Sequence, residues 1–271
     1  MKRILCPTDF SEAATNAIEY AAQFARFRSA ELVLYHARLM FDLTGSDPEV
    51  TKDETLEEAS DRLDELSKQT AKKYSIPCYA EVEPTTRSLD KSIGAKTGEY
   101  DIVIMGTNGA DSMTHFFKDS NAYNAVVRSH APLLIIPKDC KYKPVKNILY
   151  AFDYGDKRRL PMDSLKDWVE GLTPNVTVLQ VLADVYDAET EKEVKTFERV
   201  TFRQHADTLK GFETVFSTQV AESIHNHVLE NNHDALALCT VERNFIEGLF
   251  HKSVIRQLCE EAGYPLFVLH E

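Results

Sequence analysis

KRILCPTDF, Lys2 to Phe10, returns 144 residues later as KNILYAFDY, Lys146 to Tyr154, and carries Asp9 onto Asp153. A second pair keeps a different offset: DIVIMGT starts at Asp101 and DALALCT at Asp234, 133 residues on. The same step takes Ser120 to Ser253 and sets PLLII, from Pro132, on PLFVL, from Pro265. Self-similarity held in register over such distances marks an internal repeat. The second copy is 11 residues shorter, and the loss falls between its second and fourth strands.

Each copy alternates two periods. In the first, RILCP is a short apolar run, and AATNAIEYAAQFARF places Ala14, Ile18, Ala21 and Ala25 at helical spacing. LVLYHA, a long charged helix from about Thr51 to Tyr74, CYAEV, a helix around Leu89 to Ala95, and DIVIMG follow. NAYNAVVRSH as a helix and PLLIIP as a strand complete βαβαβαβαβ. LVLYHA and DIVIM are nearly unbroken apolar runs, as in parallel strands covered by helices on both faces.

The expectation is α/β: two doubly wound, five-stranded parallel sheets, each in the order 3-2-1-4-5, in residues 1–138 and 146–271 with KDCKYKPVK as the linker. Ligands of such sheets bind beyond the carboxyl ends of the strands where their order reverses, here between strands one and four. Asp9 follows the first of these strands and Gly106 closes the fourth.

Totals narrow the function. A chain of 271 residues with 43% hydrophobic and 27% charged residues fits two soluble globular cores. A net charge of −12 argues against nucleic acid as a partner, since that binding relies on basic surface. No apolar run approaches the ~20 residues of a bilayer span, so no membrane association is expected and the location expected is cytoplasmic. Five dispersed cysteines without a CxxC pair fit buried thiols, Cys6 among them, in a reducing compartment.

Three stretches, ILCPTDFSEAATNAIEYAAQFA, GTNGADSMTHFFKDSN and VVRSHAPLLIIP, make the chain resemble the universal stress protein family in a tandem, two-domain form. ATP-binding members carry a glycine, two residues, a glycine, nine residues, a glycine, then Ser or Thr. Gly106, Gly109 and Ser120 fit this pattern; Asp119 stands where the third glycine should be. The resemblance implies that Pro7, Thr8 and Asp9 line the ribose and adenine side, that the backbone near Ala37 reads adenine, and that Gly106, Gly109, Ser120 and Asn121 surround the phosphates. Glycine backbone and a helix N-terminus suit an anion.

Asp119 opposes this reading by repelling phosphate or by capping the helix itself, whereas Mg²⁺ bridging Asp119 to a phosphate would reverse the argument. ATP, with Mg²⁺, is therefore an expectation for the first half alone. In the second half the three glycine positions hold Cys239, Glu242 and Lys252, with Ser253 retained, while Ala151 and Phe152 replace Pro7 and Thr8. No ATP is expected there, and Phe152 is expected to occlude the pocket.

Several residues have purely structural explanations. Asp9 and Glu12 have capping-box spacing, with Ser11 as an alternative cap that frees Asp9. His225, His227 and His233 suggest a metal, yet helical residues two apart point to different sides. TKDETLEEASDRLDELSKQT reads as the wet face of an amphipathic helix, with Leu56, Leu63 and Leu66 towards the sheet. No metal site is expected.

No catalytic motif is present, and the expected function is a non-enzymatic stress-response or regulatory protein. A pure interaction module with closed pockets and a weak ATPase or nucleotide-dependent switch are the alternatives. The resemblance implies an intrachain pseudo-dimer through LLIIP, 133–137, and LFVLH, 266–270, and leaves a homodimer open.

Overall fold

The computed structural model describes residues 2–39, 55–86, 89–107, 129–152, 162–169, 171–172, 174–182, 188–240 and 252–270. The chain divides into two compact units, Met1–Tyr142 and Lys143–Glu271. In the first, β1 (Arg3–Pro7), α1 (Glu12–Arg28), β2 (Glu31–Leu39), α2 (Leu56–Tyr74), β3 (Cys78–Thr85), α3 (Leu89–Thr97), β4 (Ile102–Thr107) and β5 (Leu133–Pro137) build a parallel sheet in the order β3-β2-β1-β4-β5. β4 and β5 are buried throughout, which accounts for their unbroken apolar sequences; β3, at the edge of this order, is mostly half-exposed.

The second unit comprises β6 (Asn147–Ala151), α4 (Met162–Val169), β7 (Asn175–Leu182), α5 (Ala188–His205), β8 (Leu209–Phe216), α6 (Val220–Glu230), β9 (Ala235–Thr240), α7 (Lys252–Glu261) and β10 (Leu266–His270). Its strands are parallel in the order β8-β7-β6-β9-β10. The order 3-2-1-4-5 thus occurs in both units.

Individual hydrogen bonds recur with it. Glu31 N–H donates to the Lys2 carbonyl and Asn175 N–H to that of Lys146; Thr8 N–H donates to Tyr35 and Phe152 N–H to Leu179. The Asp101 carboxylate accepts from the backbone N–H groups of Lys2 and Arg3 at 2.7 and 2.8 Å. Asp234 accepts from Lys146 and Asn147 at 2.9 Å each. Burial works against charge on both acids. The N–H donors, helped by the N-terminus and Lys2 at Asp101, outweigh it and hold that carboxyl below the usual range. At Asp234 the Lys143 side chain and the N–H donors do the same.

The offset is 144 at the donors Leu32 and Val176 but 131 at their acceptors Pro77 and Thr208, and 133 where Val103 and Leu236 donate to Pro132 and Pro265. The shortening therefore lies between the second and third strands of the second unit, and two residues are regained before the fourth.

Residues on either side of the unit boundary are held by different groups. Asn16 on α1 donates both amide hydrogens, to Pro137 O at 3.0 Å and Cys140 O at 2.9 Å, and accepts from Lys141 Nζ at 2.8 Å. Tyr142 packs edge-on to Tyr20. The next residue, Lys143, pairs instead with Asp234 at 2.9 Å. Saturating a buried amide in this way avoids the cost of orphaned polar atoms.

α2 begins at a capping box between Thr55 and Glu58. Its buried stripe is Ala59, Leu63, Ser67 and Thr70. The expected inward stripe is corrected in part: Leu63 is buried, Leu66 is half-buried, and Leu56 is 39% exposed on the first turn, ahead of the buried face.

In the second unit Trp168 of α4 stacks on Phe267 of β10, with ring centroids 3.9 Å apart. The five cysteines are free thiols. Burial, with a smaller contribution from Cys78, holds the Cys6 thiol far above its usual range, so it is not poised as a nucleophile. No helix among the described residues is long and apolar enough to cross a membrane.

Candidate functional site

The β1–β4 pairing runs from Ile4↔Ile102 to Leu5↔Val103, while the strands continue to Pro7 and Thr107. Pro7, buried at the end of β1, has no N–H to extend a ladder. The order reverses here, β2 lying on one side of β1 and β4 on the other, so this is the topological switch point of the first unit.

After Pro7 the chain makes a tightly held turn. Thr8 N–H donates to the Tyr35 carbonyl at 2.8 Å, and Thr8 Oγ1 accepts from Phe10 N–H at 3.0 Å. Phe10 adopts φ 64°, a left-handed conformation that a bulky residue rarely takes. Its ring lies 4.9 Å from that of His36, and the Arg62 guanidinium stands 4.0 Å from its centroid. His36 Nδ1 is 2.8 Å from the Thr8 carbonyl, which can only accept, so Nδ1 carries the hydrogen.

Asp9 Oδ1 accepts from Ser11 N–H at 3.0 Å, an Asx-type turn, and Ser11 Oγ accepts from Ala14 N–H at 3.2 Å. Ser11, not Asp9, is therefore the cap of α1, a contribution of about 1 kcal/mol. Among the described residues only one Asp9 carboxylate oxygen is engaged.

Ala37 lies beyond the end of β1 on the neighbouring strand, since the β1–β2 register closes at Pro7↔Tyr35. Glu31 and Tyr35 direct their backbone groups towards β1, and the two-residue alternation turns those of Ala37 to the same side, where β1 has stopped.

Gly106 is the fifth residue of β4. A Cβ there would meet the Ala13 carbonyl oxygen of α1 at 2.4 Å and its carbon at 2.7 Å. The missing side chain thus admits the first turn of α1 against β4, a structural demand that the phosphate reading of this glycine did not contain. Gly109, Asp119, Ser120 and Asn121 lie outside the described residues, as do Asp153 and Glu242.

The site brings Pro7, Thr8, Asp9 and Ala37 to one end of the sheet, with Gly106 on the adjoining strand. Sequence reasoning missed His36, Phe10 and Arg62. Only the adjacency of His36 to Ala37 hinted at the first.

The second unit differs at this edge. Phe152 has the place of Thr8, and its buried ring stacks on Phe197 of α5 at 5.5 Å, with Phe212 of β8 edge-on to Phe197. The ring thus takes part in the packing of α5 on the sheet. Cys239 fills the place of Gly106 on β9.

The three histidines diverge. His225 Nδ1 is 3.1 Å from Tyr264 Oη, whereas His227 Nε2 faces Glu213 at 3.4 Å without hydrogen-bond alignment and its ring stacks on His233 at 5.9 Å. No group of three metal-ligating side chains occurs among the described residues.

Burial, then the charge of His227, holds the His233 imidazole below its ordinary value of 6.5, against the pull of Glu213 and Asp234. With the folded pKa lowered, the unfolded chain takes up the proton first. Stability is therefore full above the ordinary value and lost as pH falls through it towards the folded value. The second unit, followed by the fluorescence of its only tryptophan, Trp168, is expected to weaken as pH falls below the ordinary histidine value of about 6.5. His233→Asn should flatten that dependence.

The fixed turn after Pro7 and the backbone of Ala37 beside it thus lie at the switch point, the place where doubly wound α/β sheets take their ligands. The profile of the universal stress protein family matches residues 1–137, and the chain belongs to that family. Two curated universal stress proteins of Methanocaldococcus jannaschii are similar to it. One is 23% identical over 161 residues, covering 51% of this chain and 95% of that protein. The other is 22% identical over 143 residues, covering 52% and 84%. A crystal structure of a universal stress protein from Archaeoglobus fulgidus shares the fold along the whole chain, with TM-score 0.71 at 18% identity and coverage of 99% and 98%.

Proposed function

We propose that this chain is a duplicated universal stress protein acting as a non-catalytic, nucleotide-responsive regulator, in which the first unit binds ATP with Mg²⁺ and the second does not. The observation that carries the reading is the placement of Ala37: its backbone groups face the side on which β1 has ended, beside the turn that presents Asp9. A strand backbone that offers a donor and an acceptor suits the edge of adenine, and a carboxylate oxygen suits a ribose hydroxyl. Gly109, Ser120 and Asn121 are the residues proposed to hold the phosphates, with Mg²⁺ relieving the charge of Asp119. The second unit replaces the Thr8 hydroxyl with the Phe152 ring, which offers nucleotide no hydrogen bond.

Thermal unfolding of the intact chain with and without ATP·Mg²⁺ tests this reading, because a ligand held only by the native state raises the melting temperature. The wild type is expected to shift, and Asp119→Gly to shift further. A shift in neither protein would remove the nucleotide from the account. A shift confined to Asp119→Gly would mean that the acid closes the natural site.

A further inference from the structure

Two contacts of the residue that precedes Ala37 reach the turn after β1, and two more hold Phe10 within it. His36 donates Nδ1–H to the Thr8 carbonyl at 2.8 Å and lays its ring against Phe10, which Arg62 covers at 4.0 Å and whose N–H is held by Thr8 Oγ1. The turn so fixed carries Asp9, and it contains Phe10 in a left-handed conformation. A non-glycine residue there costs about 1 kcal/mol or more and persists only when its surroundings hold it. The imidazole belongs to β2 and the turn to β1, so this hydrogen bond ties the two edges of the crevice together.

The second unit carries a different residue at the position of His36. The paired registers end at Pro7↔Tyr35 and Ala151↔Leu179, so the next residues correspond: Thr8 with Phe152, and His36 with Gln180. Gln180 is fully buried, and neither its side-chain nitrogen nor its oxygen has a hydrogen-bond partner among the described residues. The covalent geometry explains why glutamine is a poor substitute. Its amide nitrogen lies one bond further from the backbone than imidazole Nδ1, while the amide nitrogen of asparagine lies at the same remove as Nδ1.

We infer that His36 is a positioning residue of the nucleotide site: through Nδ1–H it locks the Thr8–Phe10 turn, so that Asp9 is presented beside the Ala37 backbone before the ligand arrives. The inference rests on the nucleotide reading of the first unit. Its requirement is a donor at one place, which asparagine supplies and glutamine or leucine does not. Asparagine also removes the ring contact with Phe10, so the two contributions of His36 separate.

The test compares the intact wild type with His36→Asn, His36→Gln and His36→Leu. ATP·Mg²⁺ affinity is measured by titration calorimetry, melting by circular dichroism, and the wild-type imidazole tautomer by ¹⁵N NMR. His36→Asn is expected to bind within about twofold of the wild type, and the Gln and Leu variants about tenfold more weakly, the scale of one lost hydrogen bond in a preorganised site. All should melt within a few degrees of one another, and Nδ1 should carry the proton. Wild-type affinity in the Gln and Leu variants, an Asn variant as weak as Leu, or an Nε2–H tautomer would each overturn the inference while leaving nucleotide binding in place. Absence of ATP binding by the wild type would bring down the nucleotide reading and this inference together.

Discussion

Gly106→Ala is expected to destabilise the first unit at the upper end of the about 1–3 kcal/mol that overpacking usually costs. The added methyl would stand 2.4 Å from the Ala13 carbonyl oxygen, a backbone atom that no rotamer change can move. Relief requires α1 to lift from β4, and α1 is anchored at both ends of its contact: Ser11 caps it, and Asn16 binds the last residue of β5 and the chain after it. Urea unfolding of the intact proteins, followed by far-UV circular dichroism, measures the loss. The Trp168 fluorescence transition serves as an internal control, since the only tryptophan lies in the second unit. A Gly106→Ala chain as stable as the wild type would show that α1 does not press on β4 as described.

Trp168→Ala is expected to remove about 3–5 kcal/mol from the second unit, the usual range for deleting a large buried aromatic. The indole is almost fully buried and stacks on Phe267, itself fully buried in β10. The loss combines transfer of apolar surface with an unfilled cavity between α4 and the sheet. Circular dichroism during urea unfolding should show an early transition of the second unit with that of the first retained. Trp168→Phe, which keeps the stack but not the indole volume, should recover part of the loss.

Much of the fold was legible because parallel strands covered on both faces must be written as apolar runs. ILCP, DIVIM and LLIIP needed nothing from tertiary structure to be recognised as strands. The repeat supplied topology as well, because a one-residue slip would have taken Asp153 off Asp9. Residues whose meaning depends on register across strands were not legible. His36 and Thr8 are 28 positions apart and meet only because Pro7 pairs with Tyr35.

Gly106 was read from its neighbours as room for a phosphate, yet the room is also used by a helix that begins 94 positions earlier, at Glu12. The cap of α1 was ambiguous for a local reason. Asp9 and Ser11 both have suitable side chains; the bond from Ala14 N–H to Ser11 Oγ assigns the cap to Ser11, while Asp9 is taken up by its turn with Ser11 N–H. Leu56 fits the periodicity of α2 but stands on its first turn, where a helix can carry an apolar residue without covering it.

Titration calorimetry of ATP·Mg²⁺ into the intact chain, repeated with Asp9→Ala, tests the central claim most directly. The stoichiometry should be one nucleotide per chain, and the Asp9 variant should bind several-fold more weakly. Two equivalents per chain, none, or one that is indifferent to Asp9 would contradict a site at the β1–β4 crevice of the first unit.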